Sequence, residues 1–435
     1  MTQSVENISL KQSVVERRLR YIYRIDKHPA SLMPQSIIEK YLCGLGAALF
    51  DIAEGNTYMR LLFEQWAISI SGENHSSFYK SDKAAIRTAL SLFRVRWRLL
   101  RLKYEFLYDC YYLTEKYNPS QLKKLAVYFQ PAIPYFAKKA LKEVDSVFLN
   151  NIDCKKIPLS LIKHRKVNKD SALQTHKRLL VVANMSAGKS TLINALVGYR
   201  LNRAKTTVCT SRICKLYNNQ FNKEGIFVYS NGGFSFFPEV ESTNSDHFTH
   251  ASLCFNSSLN ESALCLIDTP GYNNVDHPEH RKTTENIIKS NDYHAIVYVA
   301  NCQYMGTTDE ALLLDLIRNQ TTKPIIFVIN QLDRMKPSED SIKEMIGDFR
   351  THLKRMKFND PLIVPVSAKA ALLFKLDKTL FDEEDCVDYD SFSNKFSNNY
   401  YDLQSIGSGK NSSNLLDASG INQLETTINQ ILNQY

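Results

Sequence analysis

No run of about eighteen consecutive apolar residues occurs in this chain, so the sequence predicts no membrane-spanning helix. The most apolar stretch, residues 41–53, is interrupted by Asp51. The opening residues lack the basic start and apolar centre of a signal peptide. Nine cysteines are dispersed singly, with no C-x-x-C pair and no histidine at metal-ligand spacing. That pattern excludes a disulfide framework and leaves reduced, mostly buried thiols in a cytosolic compartment as the expectation. No internal repeat is visible.

Charge is present but uneven. The net charge is +9, yet residues 1–170 hold 28 basic against 16 acidic residues and the remainder 26 against 29. The whole positive surplus therefore lies in the N-terminal part, which suits an anionic partner, either a lipid surface or nucleic acid. A chain of 435 residues is long enough for two cores.

Up to about residue 165 the apolar spacing is helical. Residues 34–70 carry Ile37, Ile38, Tyr41, Leu42, Leu45, Leu49 and Ile52 at three- and four-residue intervals. A second helical stretch starts at the capping residues Ser81 and Asp82 and runs to about Tyr117 without Pro or Gly. A short helix follows Pro119, and another is expected over about 135–149. Arg94, Arg98 and Arg101 beside Trp97 read first as a solvated helix face, and second as a basic binding surface.

After residue 176 the pattern changes to short apolar runs at 178–183, 263–267, 295–300, 324–329 and 362–366. Such runs suit strands buried on both faces of a parallel sheet. Helical stretches alternate with them; one begins at Thr307 and Glu310, which have capping-box spacing. The expectation is a doubly wound α/β domain over 176–435, preceded by an all-α bundle over 1–165. Residues 382–419 are rich in Asp, Glu, Asn, Ser and Gly and read as a surface insertion or disordered loop. Ile421, Leu424, Ile428, Ile431 and Leu432 then mark a closing helix.

Four motifs carry chemistry. Asn184, Met185, Ser186, Ala187, Gly188, Lys189, Ser190 and Thr191 stand between a strand and a helix in the pattern of a P-loop. There backbone N–H groups and a helix N-terminus meet phosphates, Lys189 adds charge, and the Ser190 hydroxyl ligates Mg²⁺. Ala183 stands where the full pattern has its first Gly. Asp268-Thr-Pro-Gly271 follows a strand; Asp268 suits the water shell of Mg²⁺ and the Gly271 N–H a γ-phosphate. Asn330, Gln331 and Asp333 follow another strand, and a carboxylate at Asp333 can accept from guanine N1–H and the exocyclic amine, which adenine lacks. Ser367, Ala368 and Lys369 follow the last strand, where a backbone N–H suits guanine O6. Asp276, His277 and His280 hold two imidazoles near Asp268, but the intervening Pro278 argues against a metal site.

Taken in order, these motifs resemble the GTPase domain of the dynamin superfamily, most of all its bacterial dynamin-like branch. The resemblance rests on the S-A-G-K-S of residues 186–190, on residues 208–213 and on residues 298–310, and covers about 176–435. It implies that Thr210 meets Mg²⁺ and the γ-phosphate in switch one, and that GTP is hydrolysed with Ser186, Lys189, Thr210 and Gly271 at the reacting phosphate. It also implies GTP and GDP as ligands, nucleotide-dependent self-association through the GTPase face, and work at an anionic membrane surface from the cytoplasmic side. Met185 stands where dynamins place the glutamine that orients water, which implies slow hydrolysis or reliance on Ser186 and backbone groups. Gln331 replaces the usual lysine. The long stalk of complete dynamins has no counterpart after the GTPase motifs, and a second dynamin-like subunit could supply it. Two other readings share the motifs: an Era-like, RNA-associated GTPase using the basic region, and a non-hydrolysing GTP-binding scaffold.

Overall fold

The computed structural model describes residues 15, 28–95, 100–129, 176–201, 213–220, 225–231, 233–237, 240, 248–272, 278–338 and 341–435. The chain forms two compact units, one of residues 1–174 with 232–236, the other of 175–231 with 237–435.

The described residues 28–129 of the first unit form helices and the turns between them. The periodic stretch over 34–70 is two helices rather than one: α1 (Gln35–Ala53) stops where Glu54 and Gly55 both adopt left-handed backbone, with φ of 53° and 73°. The Asn56 side chain then caps α2 (Thr57–Ser71) by accepting the Tyr58 N–H at 2.9 Å. The stop was hidden because hydrophobic spacing continues across it, whereas the E-G-N sequence that ends one helix and caps the next is only a local signal. Asp82 starts α3 (Lys83–Val95), accepting the Ala84 and Ala85 N–H groups at 3.0 and 2.9 Å. α4 (Leu100–Tyr117) and α5 (Leu122–Phe129) follow. A Cβ on Gly44 would lie 2.3 Å from the Ala89 Cβ, so α1 and α3 cross at a distance only glycine permits. Tyr41, Phe63, Phe106, Tyr111 and Phe129 fill the core, and Asp109 accepts from the Tyr41 hydroxyl at 2.7 Å and lies 2.9 Å from His28 Nε2. The helix expected over 135–149 and the arginine face fall outside the described side chains.

The second unit alternates strands and helices: β1 (Lys177–Ala183), α6 (Lys189–Val197), β2 (Cys214–Asn218), β3 (Ile226–Ser230), β5 (His250–Leu253) and β6 (Leu264–Asp268), while the intervening β4 (Gly233–Phe237) belongs to the first unit except for Phe237. Then come α7 (Pro278–Ser290), β7 (Ala295–Asn301), α8 (Thr308–Gln320), β8 (Ile325–Asn330), α9 (Ile342–Arg355), β9 (Leu362–Pro365) and α10 (Ala368–Lys375). Within the second unit the strand order is β3-β5-β2-β6-β1-β7-β8-β9. β1 is parallel to both β6 and β7, and β7-β8-β9 continue parallel, while β2 is antiparallel to β6. The five apolar runs read in sequence are β1, β6, β7, β8 and β9, and each is buried because helices cover both faces. The remaining strands mix polar or small residues with apolar ones, so they gave no continuous apolar run to read. With β6 and β7 on opposite sides of β1, connections leave its C-terminal end in opposite directions and open a crevice there.

Residues 382–419 correct one of the two alternatives read from the sequence, the disordered loop. They are not a disordered loop but contain α11 (Glu383–Phe396), α12 (Leu403–Ser408) and α13 (Leu415–Ala418). Asp382 and Asp385 form a capping box at the start of α11, while Phe392, Phe396 and Tyr401 are buried. A few aromatics at the right spacing outweigh a polar composition. The closing helix α14 (Ile421–Leu432) buries the five apolar residues expected of it.

Candidate nucleotide site

The loop after β1 is built by its backbone. Ser186 and Gly188 both adopt left-handed conformations, with φ of 60° and 81°. Gly188 has a second reason to be glycine, since a Cβ there would lie 2.4 Å from the Asn330 amide nitrogen. That amide donates to the Ala187 carbonyl at 2.9 Å. The Ser186 carbonyl is met from two sides, by the Asn301 amide at 3.0 Å and the Gln331 amide at 2.8 Å. In a trans peptide the C=O of one residue points opposite to the next N–H. Anchoring the Ser186 and Ala187 carbonyls therefore aims the Ala187 and Gly188 N–H groups the other way, beside the N-terminus of α6. This is the arrangement in which a loop and a helix dipole hold a phosphate.

Lys189 opens α6 and is buried, its ammonium paired with the fully buried Asp268 carboxylate at the end of β6. Thr269 is fixed by its hydroxyl bond to the Val181 carbonyl at 2.9 Å, and the Tyr272 N–H reaches the Ala183 carbonyl at 3.2 Å. These bonds lay residues 268–272 along the loop and put Gly271 against Met185: a Cβ on Gly271 would be 3.1 Å from Met185 Cγ. Ser190 is half-buried directly after Lys189. Thr210 lies outside the described residues.

The far end of the crevice gathers the other two motifs. Besides holding the loop, Asn330 accepts the Ala368 N–H at 3.0 Å, so one side chain ties the P-loop to residues 367–369. Gln331 has left-handed backbone, φ 67°, which sends its amide back across the loop. Asp333 sits in a short 3-10 turn (Leu332–Arg334), and its carboxylate accepts the Ser367 hydroxyl at 2.5 Å. Lys369 is tied to Asp388; burial opposes its charge, but the Asp388 and Glu384 carboxylates hold its pKa above the ordinary lysine value. Cys214 is an inert neighbour, its thiol pushed well up by burial and by Asp268.

Sequence reasoning placed the loop, Asp268, Gly271, Asn330, Gln331, Asp333 and 367–369, and the fold brings these together. It missed Asn301 and Lys395, whose ammonium donates to the Asp333 carbonyl at 3.1 Å. An asparagine closing a strand and a lysine in an acidic insertion give no signal until the chain is folded. His280, read as a weak metal candidate, is buried on α7, while Asp276 and His277 lie outside the described residues.

A P-loop at the end of β1, an aspartate closing the adjacent β6, and an Asn-Gln-x-Asp turn closing β8 define the class: a P-loop GTPase domain. Comparison with known proteins specifies the family. Residues 179–332 match the family model described as the dynamin family, and the domain is a dynamin-family GTPase domain. A probable transmembrane GTPase of Arabidopsis thaliana, FZO-like and chloroplastic, is 24% identical over 204 residues, 46% of this chain and 20% of that protein. The chain thus matches about a fifth of the length of that relative. Among solved structures, Aquifex aeolicus Era bound to GDP and aluminium fluoride is 18% identical, covering 45% of this chain and 52% of its own, with a TM-score of 0.28. A probable GTP-binding protein, engB, is 14% identical, covering 59% of this chain and all of its own (100%), with a TM-score of 0.30.

Proposed function

We propose that this chain binds guanine nucleotides in the crevice at the end of β1 and hydrolyses GTP to GDP and phosphate. The observation that carries the reading is the Asp333 carboxylate, oriented by Ser367 at 2.5 Å, on the same scaffold of Asn330 contacts that shapes the P-loop. A carboxylate so placed accepts two hydrogen bonds from guanine and none from adenine. Lys189 lies where its charge would stabilise the β- and γ-phosphates, and the loop N–H groups would hold their oxygens. Catalysis of this kind is positioning and charge stabilisation, with no protein nucleophile. Ser190 and Asp268 offer hard oxygen donors of the kind Mg²⁺ takes, and Thr210 is the third residue proposed for it. When bound, the ion would neutralise charge on the phosphates.

The exposed Met185 beside Gly271 cannot orient water, which supports slow hydrolysis and favours one second reading, a GTP-binding scaffold that does not turn over. Self-association through the GTPase face, Ser186 as its hydrolytic aid, and peripheral association with an anionic membrane on the cytoplasmic side complete the proposal. Among the described residues no helix is long and apolar enough to cross a membrane.

Asp333→Asn is expected to lose GTP and gain xanthosine triphosphate, because the hydrogen-bonding pattern at that edge is inverted. Equal affinity of the unaltered protein for ATP and GTP would reject the guanine assignment. Phosphate release measured against protein concentration, with and without anionic liposomes, separates turnover from scaffolding.

A further inference from the structure

The guanine-reading turn is held from outside the motifs that define it. Within Leu332–Arg334 the Arg334 and Met335 N–H groups bond to the Gln331 and Leu332 carbonyls at 3.0 and 3.2 Å. Two further carbonyls, those of Asp333 and Met335, face α11 and its sequel instead. Lys395, in the last turn of α11, donates to the Asp333 carbonyl at 3.1 Å, and the Tyr401 hydroxyl donates to the Met335 carbonyl at 2.7 Å. Nearer the start of the same helix, Asp388 holds the Lys369 ammonium. One helix therefore grips both segments that would border a guanine base, 62 residues of sequence beyond Asp333.

α11 is itself firmly seated. Asp385 in its first turn lies 2.5 Å from the Arg200 guanidinium, which keeps its carboxyl below the usual range against the opposing effect of burial. On its inner side Phe396 meets Phe374 of α10 at 5.9 Å between ring centres and Tyr401 at 5.7 Å. A short 3-10 turn has few bonds of its own, and a recognition carboxylate must be held within about half an ångström to discriminate between purines. We propose that α11 is a positioning element for guanine recognition, in which Lys395 fixes the main chain of Asp333 and Asp388 fixes Lys369. The inference rests on the guanine-nucleotide reading above and adds to it a part of the chain that no GTPase motif includes.

The test uses the full chain and two probes, GDP and inosine diphosphate, which lacks the exocyclic amine that Asp333 would accept from. Lys395→Met is expected to weaken GDP about tenfold and inosine diphosphate less, so the ratio of the two affinities falls. Lys395→Arg, which keeps a cationic donor, is expected to restore most of the ratio. A loss of general packing would weaken both nucleotides equally, and an unchanged ratio in Lys395→Met overturns the proposal. Should that variant melt without a cooperative transition, Asp388→Asn carries the same measurement from the other grip point: a lowered ratio supports the proposal and an unchanged one overturns it. If instead the unaltered protein fails to prefer GDP over ADP, the guanine reading itself fails, whatever the variants do.

Discussion

At the scale of residues, the pair Lys189–Asp268 carries more than the phosphate chemistry. Both side chains are buried, Asp268 completely, so each is the other's compensation for lost hydration. Removing one partner of such a pair costs about 3–5 kcal/mol because the other charge stays buried alone. Lys189→Ala is therefore expected to destabilise the nucleotide-free protein by that order, in addition to abolishing nucleotide binding. Adding Asp268→Asn should recover a large part of the loss. Urea denaturation of the two variants checks this; a Lys189→Ala protein as stable as the parent would refute it. Gln331 shows how far one residue could be read in advance. The family pattern flagged it as an exception. That its amide would cross the loop to the Ser186 carbonyl at 2.8 Å depends on its left-handed backbone, and on Asn301 sharing that acceptor.

At the scale of elements, caps and insertions decide the outcome. Thr307 and Glu310 have capping-box spacing, but only half of the box forms: the Thr307 hydroxyl accepts the Glu310 N–H at 3.3 Å. The Glu310 carboxylate turns instead to the Gly306 N–H and to the Tyr298 hydroxyl, 3.2 Å away on β7. Burial raises its pKa above the ordinary carboxylate value, opposed by those two bonds and by His352. A carboxyl whose folded pKa is raised favours folding while protonated, below its unfolded pKa, and that contribution is lost as pH rises through the folded value. At neutral pH the ionised form thus costs stability. Glu310→Gln, which keeps an acceptor for Gly306, is expected to melt higher than the parent at pH 7, with the difference shrinking toward about pH 4, near the unperturbed carboxylate pKa. Melting curves across that range decide it; a gap that widens on acidification would contradict the sign. α11 teaches the converse about composition. An acidic, serine-rich stretch folds because its buried aromatics find partners outside it, Phe396 against Phe374 and the Tyr401 hydroxyl on the Met335 carbonyl.

At the scale of the whole molecule, charge is the main feature the GTPase motifs leave unused. The surplus of basic over acidic residues lies within 1–170, while the remainder is slightly acidic. Each Lys or Arg near an anionic membrane surface contributes about 1 kcal/mol, and the effect is screened within a Debye length of about 10 Å at 0.1 M salt. The protein is expected to sediment with phosphatidylserine vesicles at low salt and to be released as salt rises. Charge reversal at Arg94, Arg98 and Arg101 should weaken sedimentation without altering GTP affinity. Tight binding to RNA with no affinity for the vesicles would transfer the basic region to the RNA-associated reading.

The sequence by itself determined the class of domain and pointed to where its candidate site stands. Four of the five apolar runs end at a motif, and a parallel strand buried on both faces leaves its C-terminal end as the place where polar chemistry can stand. Hence 184–191, Asp268, Asn330, Asp333 and 367–369 were legible, and the fold brings them together. Tertiary structure alone decided what holds them. Asn301, Gln331 and Asn330 act on loop carbonyls more than a hundred residues away in sequence, and Lys395 acts on a turn 62 residues earlier. Local spacing reports which face of a strand or helix is buried, because that depends on neighbours three or four positions away. It does not report which polar groups meet across a crevice, since that depends on where the sheet order 6-1-7-8-9 and the helices packed on it bring distant segments.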